Sequence, residues 1–280
     1  MAKVDLHIHS NHSDGSDSIK VLAENIKRAK IDIFALTDHD TIEGCLEMSR
    51  EISPEIKFIP SIELTCKADD IKCHLLGYNC NPHDEILNKL IQKGKVLRKN
   101  KLETRIQYLK TQWGITLTED EKEWLYSRKS VVKTHIANIL VNRGLAKDNL
   151  SAMAKYLDGC KSGDTRFGGE EAIFAIKASG GIPVWAHPLG GEGEKHLSQK
   201  EFLPKLNKML KFGIKGLECY YSRYSKEEIS FLLECCEQHN LLISGGSDYH
   251  GTNKDIPLLK LNTNNTPIES ENLSIIKEIL

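Results

Sequence analysis

Short apolar runs alternate with segments of helical periodicity along most of the chain. Seven of these runs predict β-strands, at Lys3–His7, Ile33–Thr37, Lys57–Glu63, His74–Tyr78, Ile182–His187, Gly216–Tyr220 and Leu242–Ser244. Between several of them, apolar residues at helical spacing predict amphipathic helices, as at Ile19, Leu22, Ile26 and Ala29. The best-marked helix has a predicted capping box at Ser225 and Glu228 and a predicted stop at Asn240. This alternation favours an α/β fold made of parallel β/α units.

The stretch 82–166 interrupts this alternation. It contains no clear strand, and its pattern predicts helices at Leu87–Leu109, Glu119–Tyr126 and Val131–Asn142. We therefore expect a domain from residues 1–81 and 167–280 that carries the strands, and an inserted helical subdomain from residues 82–166. Polar motifs end six of the seven strands, which favours a closed barrel with its site at the strand ends over an open sheet with one switch point. The subdomain is then expected to lie over one mouth of the barrel.

The composition excludes few functional classes, but it favours one cellular location. Lys plus Arg (38) nearly balances Asp plus Glu (39) over 280 residues, so net charge gives no case for nucleic acid or a membrane surface. No apolar run is long enough to predict a membrane span, and the charged amino terminus does not resemble a signal peptide. The eight cysteines contain no CxxC pair, which favours reduced thiols and a cytoplasmic location. Nothing in the sequence indicates an obligate protein partner.

Histidines and carboxylates cluster where predicted strands end. The candidate metal ligands are His7, His9, Asp14, His39, Glu63, His74, His187, Asp248 and His250. Taken singly, Glu63 also fits an ordinary strand-end acid, and His74 and His187 also fit core histidines. One Zn²⁺ uses about three or four ligands, so the count predicts two or three divalent ions, of which Mn, Zn and Fe suit imidazole and carboxylate. Such clusters activate water and clamp a phosphoryl group, which predicts phosphate-ester hydrolysis.

Five motifs resemble, in order, those of the PHP family, named for polymerase and histidinol phosphatase. They lie at Asp5–Ser10, Thr37–Asp40, His74–Tyr78, Ala186–Pro188 and Gly245–Gly251. Among its members the chain is most similar to free-standing bacterial phosphoesterases that act on nucleoside 3′,5′-bisphosphates, AMP-like compounds or short oligonucleotides. The resemblance implies a distorted seven-stranded barrel and a trinuclear site. It assigns His7, His9, Glu63 and Asp248 to one ion, Asp14, His39 and His250 to a second, and Glu63, His74 and His187 to a third, with Glu63 bridging.

The substrate and the proton donor are less well specified by the sequence. Relatives tend to carry Arg in the segment Val132–Asn138, where this chain has Lys133 and Asn138. The basic segment Lys89–Lys110 contains eight Lys or Arg and one acid, so it predicts either a solvated helix face or a lid that binds a second phosphate. Candidates for substrate binding are Arg98, Arg105, Lys133, His135 and Arg143. Candidates for protonating the leaving group are His12 and Asp38.

These observations predict a hydrolase that cleaves phosphate monoesters of nucleotides with water activated by the bound ions. Three alternatives stay open. A histidinol phosphate phosphatase would share the fold and the metals. A non-catalytic PHP interaction module is disfavoured, because 280 residues leave no room for a polymerase and no ligand position is lost. A metal-dependent deacetylase or amidohydrolase is disfavoured by the order of the motifs.

Overall fold

The chain divides into two compact units in a computed structural model that describes residues 2–128 and 131–280. One unit comprises Met1–Leu90 and Phe167–Leu280, and the other comprises Ile91–Arg166. The predicted insertion, 82–166, covers the second unit and the segment just before it. The described residues contain no helix long and apolar enough to cross a membrane.

The described residues form nine strands and ten α-helices. The strands are β1 Val4–Ile8, β2 Ile33–Leu36, β3 Lys57–Pro60, β4 Ile62–Ala68, β5 Ile71–Tyr78, β6 Phe167–Gly168, β7 Ile182–Ala186, β8 Gly216–Tyr221 and β9 Leu242–Gly246. The helices are α1 Ile19–Ala29, α2 Glu43–Glu51, α3 Glu85–Trp113, α4 Glu119–Ser127, α5 Lys133–Asn142, α6 Asn149–Ala152, α7 Gly169–Ala178, α8 Gln199–Phe212, α9 Lys226–His239 and α10 Ile276–Ile279.

The strands of the first unit form two sheets. The smaller is parallel, in the order β1-β2-β3, and the larger has the order β6-β4-β5-β7-β8-β9. They meet where Ile8 pairs with Tyr249 and where the His9 N–H donates to the Tyr249 carbonyl at 2.9 Å. The α/β class is confirmed, whereas a single closed barrel of seven strands is not.

Two details of the predicted strands are wrong. The predicted strand Lys57–Glu63 is divided at Ser61, so that β3 pairs with β2 in one sheet and β4 with β5 in the other. The predicted uniformly parallel arrangement also fails, because β5 is antiparallel to both β4 and β7. The hairpin β4–β5 has only Asp69 and Asp70 between its strands, and Asp69 takes a left-handed φ of 53°. Such a short turn can join only antiparallel strands.

Local capping explains where several helices begin and end. In α9 the Ser225 hydroxyl accepts from the Glu228 N–H, Glu228 returns the bond to the Ser225 N–H, and Asn240 ends the helix at a φ of 51°. The predicted cap and stop are therefore confirmed. In α1, Ser18 caps the first turn, and the predicted apolar face is buried at Ile19, Leu22 and Ile26. The apolar faces of these two helices are buried and belong to the core.

The second unit is helical and has a core of its own. It contains α3 from Ile91 onward together with α4, α5 and α6. Its core includes Leu102, Leu109, Leu125, Ile136 and Leu140. The three predicted helices of the insertion are confirmed within a few residues at each end. The short helix α6 and the π-helical turn after it were not predicted.

Candidate metal centre

The nine predicted ligands are positioned by the ends of β1, β2, β7 and β9 and by residues within β4 and β5. His7 belongs to β1, Glu63 to β4 and His74 to β5, and the others follow a strand. Three overlapping groups bring their ligand atoms within 4.8 Å of one another: His7, His9, Glu63 and Asp248; His9, Asp14, His39 and His250; and His39, Glu63 and His74. The structure therefore gathers residues separated by more than two hundred positions in the sequence into one place.

Glu63 belongs to two of these groups, as His9 and His39 do, and both of its oxygens lie near imidazole nitrogens. Its Oε2 lies 3.1 Å from His7 Nε2 and 3.1 Å from His39 Nδ1. Its Oε1 lies 3.0 Å from His74 Nδ1 and 3.2 Å from His187 Nε2. A carboxylate with imidazoles on both oxygens can bridge two cations. This geometry supports the bridging role that the sequence resemblance implied.

Two further carboxylates flank this centre. Asp248 Oδ1 lies 3.3 Å from His9 Nε2 and 3.5 Å from His7 Nε2. Asp14 Oδ1 lies 3.1 Å from His250 Nε2, and Asp14 is 3.8 Å from both His9 and His39. The three groups differ from the predicted assignment to ions in two places, since His9 also belongs to the group of Asp14 and His39 stands with Glu63 and His74. The assignment to individual ions stays a prediction.

Several buried polar atoms of these residues have no hydrogen-bond partner within the described residues, as expected of atoms that bind a metal ion. His9 Nε2, His39 Nδ1, His74 Nδ1, His250 Nε2 and Asp14 Oδ1 are buried and have no hydrogen-bond partner within the described residues. Buried polar atoms are almost always paired, because leaving one unsatisfied costs free energy. These atoms lie near carboxylate oxygens without hydrogen-bond geometry, so a shared divalent cation would satisfy them together. The donor set of imidazole and carboxylate fits Mn, Zn or Fe.

The carboxylates and the rings shift one another's pKa strongly. Burial alone would raise the pKa of Glu63, but His39, His7 and His74 hold it well below its usual value. Burial alone would lower the pKa of His9, but Asp248 and Glu63 raise it to about 9. Burial dominates at His39 and lowers its pKa to about 3. Glu63 is thus held ionised, the form in which a carboxylate binds a divalent cation.

Left-handed backbone occurs at three residues of these motifs. Asp40, His187 and Asp248 have φ values of 54°, 29° and 59°. Non-glycine residues reach this region at a cost, and such residues concentrate at functional sites. At Asp40 the side chain secures the turn, since its two carboxylate oxygens accept from the Thr65 N–H and hydroxyl at 2.8 and 2.9 Å. Asp40 therefore links the end of β2 to β4, one residue after the ligand His39.

Glu218 is a site residue that the sequence reasoning missed. It lies in β8, is fully buried, and accepts from His7 Nδ1 at 2.8 Å through Oε1. Its Oε2 accepts from the backbone N–H of His187 at 2.7 Å. A carboxylate on the outer nitrogen of a ligating histidine fixes its tautomer and orientation. The available signal was an acid in the middle of an apolar strand, which a buried position tolerates only with partners.

Replacing Glu218 with Gln is expected to lower metal affinity or turnover by about 10- to 100-fold, the usual effect of losing such a partner. The amide keeps the size of the side chain but cannot hold the same charge-assisted bond to His7. Metal titration followed by spectroscopy, together with turnover at saturating metal, would separate the two effects. An exposed glutamate on α9, Glu237, supplies the matched control Glu237→Gln, and equal values for both variants would contradict the positioning role.

Lys254 and Tyr221 hold the other oxygen of Asp248. Lys254 Nζ donates to Asp248 Oδ2 at 2.8 Å, and the Tyr221 hydroxyl donates to the same oxygen at 3.1 Å. Burial alone would raise the pKa of Asp248, but Lys254, His250 and His7 keep it well below its usual value. Asp248 is thus held ionised with Oδ1 directed at the ligand rings.

The two predicted proton donors have different surroundings. Asp38 Oδ1 accepts from the Ser10 N–H at 2.8 Å and the Ser13 hydroxyl at 2.6 Å, while Oδ2 accepts from the Ser10 hydroxyl at 2.7 Å. These bonds tie Asp38 to the loop that carries Asp14. His12 Nε2 lies 2.9 Å from Glu47 on α2. Their catalytic role stays a prediction, and the contacts of Asp38 support a role in shaping the loop.

The five predicted substrate contacts all lie in the helical unit, but in different settings. Arg98 lines a cavity between α3 and α4. Lys133 pairs with Asp158, and Arg105 is half-buried close by. His135 Nδ1 accepts from the Val132 N–H at 3.1 Å and so caps its own helix. Arg143 donates to Glu121 and to the Thr116 carbonyl, at 3.0 Å for the latter. Among these five, His135 and Arg143 make hydrogen bonds within the helical unit that are typical of residues with a structural role.

Known proteins resemble the chain over most of its length. It is 26% identical over 258 residues to a 3′,5′-nucleoside bisphosphate phosphatase of Chromobacterium violaceum, covering 89% of this chain and 88% of the relative. It is 29% identical over 255 residues to a 5′-3′ exoribonuclease of Haemophilus influenzae, covering 89% and 90%. The crystal structure of a protein from Bifidobacterium adolescentis, described as a metal-dependent phosphoesterase, matches with a TM-score of 0.80 at 26% identity, over 100% of this chain and 96% of that one.

The family model for the PHP domain matches residues 5–165. That span contains the ligand motifs of β1, β2, β4 and β5. The later motifs, around His187 and Asp248, complete the same groups of ligands in space. The chain therefore belongs to the PHP family of metal-dependent phosphoesterases.

Proposed function

We propose that the chain hydrolyses phosphate monoesters of nucleotides, with nucleoside 3′,5′-bisphosphates, AMP-like compounds and short oligonucleotides as the substrate class. The observation that carries the proposal is the convergence of four imidazoles on the buried carboxylate of Glu63, on both of its oxygens. The relatives support the substrate class, since one is named for nucleoside bisphosphates and another for RNA. The complete set of ligands favours an enzyme over a non-catalytic interaction module.

Bound divalent ions supply activated water and neutralise charge on the reacting phosphoryl group. We propose that two or three ions of Mn, Zn or Fe bind, held by the nine predicted ligands. The chain orients these ligands in advance: Glu218 fixes the His7 ring, and Lys254 fixes Asp248. Positioning of this kind lowers the barrier because no reorganisation is needed during the reaction. All eight cysteines are free thiols, which supports a cytoplasmic setting for the enzyme.

A cluster of cations in the helical unit supports recognition of a second phosphate. Burial lowers the pKa of Lys133, and the neighbouring Arg105 lowers it further. Burial also lowers the pKa of Lys101, as do the charges of Arg105 and Arg166. Arg105 Nε is buried without a hydrogen-bond partner in the described part of the chain. Lys133 already pairs with Asp158 and Arg166 with Asp164, so Arg105 is the cation of this cluster that is best placed to meet a further anion. A phosphate is the anion that a guanidinium group recognises best.

Arg105→Gln is expected to reduce selectivity for a nucleoside 3′,5′-bisphosphate over the matching monophosphate. One charge-assisted hydrogen bond contributes roughly 1.5–3 kcal/mol, so the native preference is expected to be about 10- to 150-fold. The measurement is kcat/KM for phosphate release with added Mn²⁺, on both nucleotides, on short oligonucleotides, on histidinol phosphate and on an aryl phosphate. The change should be confined to the substrates that carry a second phosphate.

The exposed Lys110 on the same helix provides the control Lys110→Gln, which should keep the native preference. Equal cleavage of bisphosphate and monophosphate by the native enzyme would remove the case for a second phosphate site. Faster cleavage of histidinol phosphate than of any nucleotide would replace the proposed substrate class by that of the alternative enzyme.

A further inference from the structure

A cavity of about 450 Å³ lies within the helical unit, between α3 and the end of α4. Leu102 and Leu125, which are 2% and 0% exposed, form an apolar part of its wall. None of the residues that line it in the described part of the chain is a candidate metal ligand. Its volume is in the range of pockets that bind small molecules or parts of larger ligands.

The charge around this cavity is strongly positive. Among the described residues that line it, Lys95, Arg98, Lys99 and Arg128 are cationic and Glu103 is the single acid. Arg98 is only 7% exposed, and burial lowers the pKa of Arg128. Guanidinium and ammonium groups are the side chains that recognise phosphate best. The lining therefore favours binding of a phosphate backbone or another anion.

Aromatic rings lie beside the same cations. The Arg128 guanidinium is 5.4 Å from the centre of the Trp124 ring, and Lys99 Nζ is 5.8 Å from the centre of the Tyr126 ring. Both rings keep a large exposed fraction, 40% for Trp124 and 45% for Tyr126. Cationic side chains next to accessible aromatic rings are the combination that binds single-stranded nucleic acids, where phosphates meet the cations and bases stack on the rings.

We propose that this cavity binds the backbone and one unstacked base of a single-stranded oligonucleotide. The choice of ligand rests on the proposed function, which includes short oligonucleotides as substrates. Lys95 and Lys99 lie one helical turn apart, about 6 Å along the axis of α3, so more than one phosphate can meet a cation. Tyr126 supplies a ring for the base, and Arg128 supplies a planar guanidinium for a phosphate. The cavity thereby selects a nucleotide chain over a single nucleotide.

The test measures binding of a fluorescently labelled, single-stranded RNA to the full-length protein by anisotropy. Phosphorothioate linkages protect the RNA from cleavage, so binding is read without hydrolysis. Arg128→Gln is expected to weaken binding by about 10-fold or more and to lower the slope of log Kd against log salt concentration by roughly one. Tyr126→Ala is expected to weaken binding by about 5-fold or more while leaving that slope unchanged.

Lys89, exposed on α3 and paired with Glu85, provides the control Lys89→Gln, which should bind the RNA as the native protein does. Native affinity in both cavity variants, with melting temperatures like that of the native protein, would overturn the proposal. Competition by AMP or inorganic phosphate as effective as that of unlabelled RNA would overturn it too. If the cavity does not bind RNA, the proposed hydrolysis of mononucleotides still stands. If the protein does not hydrolyse nucleotides, binding of RNA to the cavity can still be measured, so the two failures can be told apart.

Discussion

Replacing Glu63 with Gln is expected to reduce phosphate release by at least about 100-fold, the equivalent of roughly 3 kcal/mol of transition-state stabilisation. The carboxylate has imidazoles within 3.2 Å on both of its oxygens, so it is placed to join two ions. An amide keeps the size of the side chain but offers only one oxygen and no charge. The variant should therefore retain fewer ions per chain as well as lose turnover, and both are measured on the same purified sample.

An exposed glutamate on α1 gives the control Glu24→Gln, which is expected to match the native enzyme in turnover and in metal content. Circular dichroism should give the same helix content for both variants, because an amide of the same size fits the position of the Glu63 carboxylate. Native turnover in a folded Glu63→Gln protein would contradict a bridging role for this carboxylate.

Removal of metal with a chelator is expected to abolish activity and to lower the melting temperature. Ions that bind the folded chain stabilise it by about 2.7 kcal/mol when present at a hundred times their dissociation constant. For a chain of this size that corresponds to a shift of roughly 5 °C. The physical reason is that the carboxylates of Glu63 and Asp248 are buried and Asp14 lies close to the same histidines, so bound cations add to the stabilisation that the histidines and Lys254 provide. Calorimetry before and after chelation measures the shift.

Adding back Mn²⁺ should restore both properties together, whereas Mg²⁺ is expected to be less effective because imidazole is a poor ligand for it. A chelated protein that melts at the same temperature and keeps its turnover would contradict the account. Loss of activity that no divalent ion restores would point to irreversible unfolding, which the melting curve detects separately.

The ligands could be predicted from the sequence because each follows a simple local rule. His7 and His9 are two residues apart on a strand, so their side chains lie on the same side. Asp248 and His250 repeat this spacing after β9. A strand that ends in a polar motif places that motif at an edge of the sheet, and several such edges meet at one site. The candidate ligands can therefore be grouped without knowing the order in which the strands pair.

The features that the sequence did not predict depend on contacts between residues that are distant in the sequence. The apolar pattern of β5 is the same whether its neighbours run parallel or antiparallel, so the direction of pairing with β4 and β7 could not be read from it. Glu218 was not predicted as a site residue, because the partners of its two oxygens, His7 and His187, lie far from it in the sequence. Arg143 looked like a phosphate ligand because its partner Glu121 lies on another helix.

In the helical unit, too, the sequence alone could not show which cationic side chains lie together. The density of Lys and Arg in Lys89–Lys110 was visible in the sequence, but the division of its cations between a cavity and a separate cluster was not. Arg98 lines the cavity, whereas Arg105 lies near Lys133. These are two settings with different expected ligands, and the spacing along one helix could not separate them.

The most direct test of a multi-ion phosphoesterase is to titrate the chelated protein with Mn²⁺ and plot phosphate release from a nucleoside 3′,5′-bisphosphate against the number of ions bound per chain. Three groups of candidate ligand atoms overlap, because Glu63, His9 and His39 each belong to two of them. We therefore expect turnover to stay near zero until more than one ion is bound and to reach its maximum at two or three. Full turnover with a single ion per chain, or with none, would contradict the account.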